Sequence, residues 1–452
     1  MYKVSYSINT VMRKTIILWI LFMFMAPFRG MAVSEKAVPA NEFLNSIGVN
    51  SSISKRGENL QHTIEYVKYL GVRWFRTGYE DNVSLEDLKR LHDETNVRFS
   101  YGLLSGGNDI DRLIKDASFL ASEGALLAVE GPNEPNNWGI PYQGETGGSK
   151  DSWLPIARLQ RDLYQAVKSN PVLKDYPVFH LSENGAQTDN AGLQFLEIPE
   201  GAGTLMPAGT RFADYANCHN YVSHPSWPGV HDNQTWLSAA PGRECPVDGL
   251  YGNYGSTWNK HFAGYPEEAL QTLPRVTTET GIAIDAKEGI TEQLQACMYV
   301  NLYLSQFKRG WKYSAIYLLR TRSNEVEHEA FSFFNLDGSP KLAAHYLHNL
   351  TTVLADTETN PSAGTLDFEV ENEPATVHHL LLQKSDSTFQ LVLWGEAYTG
   401  GSEEVHVRFG RSHGQLRVYD PTVGSEAVKT FDGTDAVTLT MTDHPVVVEI
   451  IK

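Results

Sequence analysis

The sequence predicts an α/β protein: a (β/α)8 barrel followed by a C-terminal β-sandwich. Three observations predict it. Short apolar runs alternate with helical apolar repeats from residue 43 to about residue 355. A polar stretch, Ala355 to Gly364, then interrupts the pattern with Asn360-Pro361-Ser362-Ala363-Gly364. Beyond it stand only short segments rich in Val, Leu, Phe and Thr.

Taken in order, Phe43 to Asn50 reads as the first strand. Leu60, Ile64, Val67 and Leu70 then fall at helical spacing, and Gly71 supplies a stop. Val72 to Phe75 is the second strand and delivers Arg76, with a helix over Leu85 to Leu91. Val97 to Leu104 is the third strand, ending in Ser105-Gly106-Gly107-Asn108, and Ile110 to Leu120 its helix. Ala125 to Val129 is the fourth, a continuous apolar run that ends in Glu130-Gly131-Pro132-Asn133-Glu134-Pro135. Trp153 to Val167 is amphipathic, with Leu159, Leu163 and Val167 on one face. Strands follow at Tyr176 to Leu181 and Asp214 to Tyr221, the latter before a long loop reaching about Lys260. Arg275 to Glu279 and Tyr313 to Leu319 complete the set, each with a helix after it, Ile290 to Phe307 and Leu342 to Leu354. Eight such units fit a closed barrel better than a doubly wound sheet. In the tail, eight strands without helices, from Thr365–Val370 to Val446–Ile450, read as a sandwich. The expected division is 1–32 targeting signal, 33–355 barrel and 356–452 sandwich.

The signal is expected because Lys3, Arg13 and Lys14 precede the apolar run Thr15 to Ala26, with small residues at Gly30-Met31-Ala32. That run is too short to span a bilayer comfortably, so export is expected rather than stable membrane insertion. Met12 is an alternative start. The chain has 452 residues, 41% hydrophobic and 20% charged, with a formal net charge of −17. That composition suits a globular core, and its acidic balance argues against a nucleic-acid partner. Of three cysteines, Cys218 and Cys245 could bridge in an exported protein, or all three could be buried thiols. Nothing resembles Cys-x-x-Cys metal spacing, and no metal or cofactor is expected.

Two glutamates carry the chemistry. Glu134 follows an apolar run and Glu279 the short strand Arg275-Val276-Thr277-Thr278, each at a strand end, where barrel enzymes place functional groups. Two such carboxyls at about 5–5.5 Å suit retaining glycoside hydrolysis: one protonates the leaving oxygen while the other attacks the sugar carbon. Pro135 is expected to bias Glu134 toward extended backbone. Arg76 is a candidate cation for the ionised member. Among the loop aromatics Trp138, Trp227, Trp236, Tyr251, Tyr254 and Trp258, the one adjoining Glu134 is the best candidate for stacking on a sugar face. His378 and His379, neighbours on a sandwich strand, should face opposite ways.

The combination of Gly131-Pro132-Asn133-Glu134-Pro135, Thr278-Glu279-Thr280-Gly281 and Gly71-Val72-Arg73-Trp74-Phe75-Arg76 resembles clan A of the retaining glycoside hydrolases. It is nearest in flavour to the β-xylosidase and iduronidase family and the cellulase-like families. The resemblance covers residues 43–355. It implies Glu134 as acid/base, Glu279 as nucleophile, Asn133 as ligand of the sugar 2-hydroxyl and Arg76 as the group steadying the nucleophile. It further implies a His or Tyr after the sixth strand touching the nucleophile. Cys218-His219-Asn220-Tyr221 offers both, with Tyr221 nearer the strand end and His219 equally readable as a packed barrel residue. Where the clan often has a Trp on the eighth strand, this chain has Tyr317-Leu318-Leu319-Arg320. The expected partner is a carbohydrate. A non-catalytic sugar-binding protein on the same barrel is the alternative, and a structural surface protein built on the sandwich a third reading. Sugar identity, internal or terminal cleavage, and oligomeric state stay open.

Overall fold

The computed structural model describes residues 33–50, 58–183, 188–225, 227–252, 261–323, 326–356, 358 and 362–451. The targeting signal expected over 1–32, and the loop aromatics Tyr254 and Trp258, lie outside the described residues.

Eight parallel strands form the barrel: β1 Ile47–Asn50, β2 Trp74–Gly78, β3 Arg98–Gly102, β4 Leu126–Glu130, β5 Val178–Phe179, β6 Ala216–Asn217, β7 Arg275–Thr280 and β8 Trp311–Tyr317. Their hydrogen-bonded order is β6-β7-β8-β1-β2-β3-β4-β5. A parallel bridge between Phe179 and Tyr215 links the last to the first, with the His180 N–H donating to the Tyr215 carbonyl at 3.0 Å. Arg76, expected at the end of β2, sits in its middle.

The outer helices are α1 Leu60–Leu70, α2 Leu85–Thr95, α3 Ile110–Ser122, α4 Leu154–Ser169, α5 Glu292–Lys308 and α6 Leu342–Leu354. Asn59 opens α1 by accepting from the His62 N–H at 2.8 Å. Gly71 closes it at φ +71°, a left-handed conformation that costs glycine nothing. Among the described residues no helix separates β5 from β6, and only the short Gln234–Ser238 and Glu267–Leu270 lie between β6 and β7. Among the described residues the eight strands are thus joined by fewer than eight long helices. The connection after β6 folds over a cluster in which Leu250, Phe262 and Leu270 are fully buried, and the one after β5 buries Leu193 and Ile198 in the main core.

Inside the barrel, side chains alternate along each strand and so stack in layers. Trp74, Ala128, Val276 and Ala315 belong to an apolar layer. Two residues further along each strand come Arg76, Glu130, Thr278 and Tyr317, which carry the polar end. In a regular β7 the inward Thr278 would send Glu279 outward. A register shift between Thr277 and Thr280 breaks the alternation there, and both residues reach the same polar cluster.

The C-terminal region has six strands: β9 Thr365–Glu371, β10 Val377–Gln383, β11 Phe389–Gly395, β12 Glu403–Tyr419, β13 Ala427–Met441 and β14 Pro445–Ile451. The eight expected there are six because β12 and β13 form one long hairpin that passes from one layer to the other at a shift after Arg408. Its first half continues the layer of β9, and its second half joins β14, β11 and β10. Two further short strands complete the sheet: Val33–Lys36 pairs with β9 and Val38–Pro39 with β10. Residues 33–39, counted with the barrel in the sequence reading, thus hydrogen-bond into the second sheet.

Period-two alternation gives β11 two buried faces. Phe389, Leu391 and Leu393 enter the sandwich core, whereas Val392 and Trp394 belong to the barrel's core cluster. His378 and His379 face opposite ways as expected: the first stacks on Trp236 at 4.0 Å, and the second pairs with Glu35 and Glu373. Trp236 is therefore part of this seam rather than of a sugar cleft. None of the three cysteines is bridged.

Candidate active site

The mouth of the barrel opens into a cavity of about 770 Å3, within the range typical of small-ligand sites. Its lining includes Arg76, Asn133, Glu134, Trp138, His219, Tyr221 and Glu279. All seven residues singled out in the sequence therefore share one pocket.

Glu134 is placed by a loop laced to both neighbouring strands. The Gly131 N–H donates to the Phe179 carbonyl at 3.1 Å and the Asn133 N–H to the Leu103 carbonyl at 2.9 Å. A side chain at position 131 would collide with Gln160 Oε1 and the Leu181 amide, which explains the glycine. Glu134 itself adopts φ +41°, not the extended geometry expected before Pro135. Its N–H donates to Ser182 Oγ at 3.0 Å, and its carbonyl accepts from the Asn137 N–H at 3.0 Å. These bonds hold a conformation that costs a residue with a Cβ about 1–3 kcal/mol.

Glu279 sits opposite. Tyr221 donates its hydroxyl to Glu279 Oε1 at 2.6 Å, and Arg76 Nη1 donates to Oε2 at 2.9 Å. The guanidinium also contacts Glu130 Oε1 through Nε at 2.9 Å and Nη2 at 2.7 Å, and Nη2 donates to Asn133 Oδ1 at 2.7 Å. Burial opposes the charge on Arg76, but Glu130 and Glu279 outweigh it and raise its pKa. With Asn133 Oδ1 held in this way, its amide N–H groups are left to face the pocket.

His219 meets the acid. Its Nδ1 lies 2.7 Å from Glu134 Oε1 and 3.9 Å from Glu279 Oε2, while Nε2 is 3.2 Å from Thr278 Oγ1. Burial brings the imidazole pKa down to about 4, so the ring is neutral at pH 7. Glu134 Oε2 accepts from Asn137 Nδ2 at 2.8 Å. Desolvation raises the Glu134 pKa, against the lowering pull of Arg76 and Asn137. Buried among anions, the Tyr221 phenol is held well above its ordinary pKa and stays a donor. One carboxylate oxygen each from Glu134 and Glu279, with a ring nitrogen of His219, lie within 4.8 Å of one another.

The sequence reading missed several residues of the site. Glu130, which hides at the end of an apolar run, is buried against Arg76. Of the lining residues, Asn137 follows Glu134 by three, and Glu183 and Asp248 lie in aperiodic connections. Tyr317 stands on the cavity wall at the end of β8, where the sequence departs from the expected Trp, and Phe331 packs its ring edge against both Tyr317 and Tyr221.

No family model matches the sequence, and no curated protein matches it. Solved structures do. A family 39 glycoside hydrolase from the gut symbiont Bacteroides cellulosilyticus superposes with a TM-score of 0.54 at 15% identity, over 92% of this chain and 82% of that one. A glucosidase from Croceicoccus marinus gives 0.54 at 11% identity, covering 93% and 99%. The catalytic domain of a family 30 xylanase from Talaromyces cellulolyticus gives 0.52 at 12% identity, covering 93% and 98%. What this chain shares with them is the fold: the (β/α)8 barrel of glycoside hydrolases, joined to a second, sheet-rich domain.

Proposed function

We propose that the protein is a retaining glycoside hydrolase acting on O-glycosidic bonds, with Glu134 as acid/base and Glu279 as nucleophile. The observation that carries this reading is the approach of the two carboxyls, with an oxygen of each inside 4.8 Å. Inverting enzymes need about 6.5–9.5 Å to admit a water between the groups.

The two environments support the division of roles. Glu134 is desolvated and contacts a neutral imidazole and an amide, which suits a proton donor. Glu279 receives a phenol and a guanidinium, one on each oxygen, which suits an anionic nucleophile. In the first step Glu134 gives its proton to the leaving oxygen as Glu279 bonds to the anomeric carbon. In the second Glu134 takes a proton from water, which displaces Glu279. Asn133 is offered to the 2-hydroxyl, and Trp138 to an apolar sugar face. The expected β-linkage and action after export, the latter supported by residues 1–32, belong to the same proposal.

The pocket lining also bears on the substrate. Glu80, Asp81, Glu134, Glu183, Asp248 and Glu279 outnumber Arg76 and Arg322, and Arg76 is already engaged by carboxylates. This supports neutral sugars over uronic acids. A panel of aryl glycosides and polysaccharides, with product stereochemistry read by NMR, tests the proposal. Retention on a neutral glycoside, lost in Glu279→Gln while sugar binding persists, is expected. Inversion, or full turnover by Glu279→Gln, would refute it.

A further inference from the structure

Two clusters of metal-ligating side chains lie apart from the Glu134–Glu279 pair among the described residues. In the first, of Cys297, Asp443 and His444, the donors are already spent on one another: His444 Nδ1 lies 2.9 Å from Asp443 Oδ1. The second differs. Glu183, Asp248 and His261 come from the connections after β5 and β6 and are 4%, 5% and 0% exposed. His261 Nε2 lies 3.3 Å from Glu183 Oε2 and 3.1 Å from Asp248 Oδ1, and the donor atoms all fall within 4.8 Å. Neither of those carboxylate oxygens receives a hydrogen bond.

Two buried carboxyls facing one imidazole need either protons or a cation, because an uncompensated buried ion costs several kcal/mol. The spacing accommodates a cation. Donors placed about 2.0–2.2 Å from a metal stand a little over 3 Å apart, which is the separation of the imidazole nitrogen from each oxygen here. The three donor atoms lie within 4.8 Å of one another, and two of the residues form part of the cavity wall beside Glu134. We propose that Glu183, Asp248 and His261 form a divalent metal site in the pocket wall, tying the connection after β5 to the one after β6. One imidazole and two carboxylates suit zinc or manganese. Calcium, which takes six to eight oxygens, fits less well.

The proposal is independent of the hydrolase reading, and its test reads binding. Zn2+ is titrated calorimetrically into the EDTA-stripped full chain carrying Glu134→Gln, which breaks up the other cluster in the pocket. Mn2+ and Ca2+ are run in parallel. One equivalent of Zn2+ or Mn2+ should bind more tightly than Ca2+ and raise the melting temperature. Glu183→Gln and Asp248→Asn should weaken binding by more than the ~10-fold that even outer-shell partners contribute, and Cys297→Ser should leave it unchanged. X-ray absorption of the Zn2+-loaded chain should show N/O ligands without sulfur, a readout that needs no variant to fold. Absence of uptake, which a proton-sharing carboxyl pair would give, overturns the site. So does sulfur ligation, or binding that survives both substitutions.

Discussion

Replacing Arg76 with Met should expose how much of this site rests on a single buried cation. The guanidinium is 4% exposed and Glu130 1%, and its second ionic partner, Glu279, is 15% exposed. Methionine keeps much of the volume and removes the charge, so Glu130 stays buried with its Ser100 and Thr278 donors but without a counter-ion. Breaking a buried pair from one side costs about 3–5 kcal/mol, most of it the stranded charge. Urea unfolding followed by tryptophan fluorescence measures the loss. Adding Glu130→Gln removes the stranded charge, so the double variant should be more stable than the sum of the single losses by about 1–3 kcal/mol. A loss under about 1 kcal/mol, additive with Glu130→Gln, would refute the network as described.

Further outcomes follow from the same geometry. Glu134→Gln should lower kcat by about 10²–10⁴-fold on substrates with poor leaving groups and far less on activated aryl glycosides. With the Glu134 pKa raised by desolvation, the wild-type rate should persist above the ordinary carboxyl range and fall as Glu134 deprotonates. That basic limb should vanish in Glu134→Gln, as a pH–rate series on an activated substrate would reveal. Tyr221→Phe removes a bond to a charged oxygen worth about 1.5–3 kcal/mol, so steady-state kinetics should show roughly a 10–100-fold fall in kcat with the fold intact by circular dichroism. Glu396→Ala strands the Thr235 and Trp236 N–H groups and the Ser305 O–H at the seam between barrel and sandwich. It should cost about 3 kcal/mol or more by urea unfolding.

How much of this was legible in the residues depends on what each element buries. Leu60–Leu70 and Leu342–Leu354 are read to the residue, because apolar spacing marks both and Asn59 and Gly71 cap the first. The strands Val178–Phe179 and Ala216–Asn217 are shorter than the apolar runs containing them, since the flanking residues pack without completing a ladder. Glu134 and Glu279 stood out because strand ends in a barrel converge. The supporting groups did not: Glu130 looks like the end of a core strand, and Thr278 like an ordinary strand residue. Glu183, Asp248 and His261 meet through connections with no period to follow. Trp236 misled for a related reason, since a loop aromatic reads the same whether it meets a sugar or a histidine of the neighbouring sheet.

The pairing of Val33–Lys36 with Thr365–Glu371, and of Val38–Pro39 with Val377–Gln383, has a consequence for how the molecule is made. The barrel is an insertion into the second sheet, entered after its first two strands and left before the remainder. During synthesis those leading strands emerge long before their partners and must wait until the entire barrel has been translated. Everything between Ala40 and Leu354 can condense first, and the sheet then closes like a clasp over the two ends of a finished barrel.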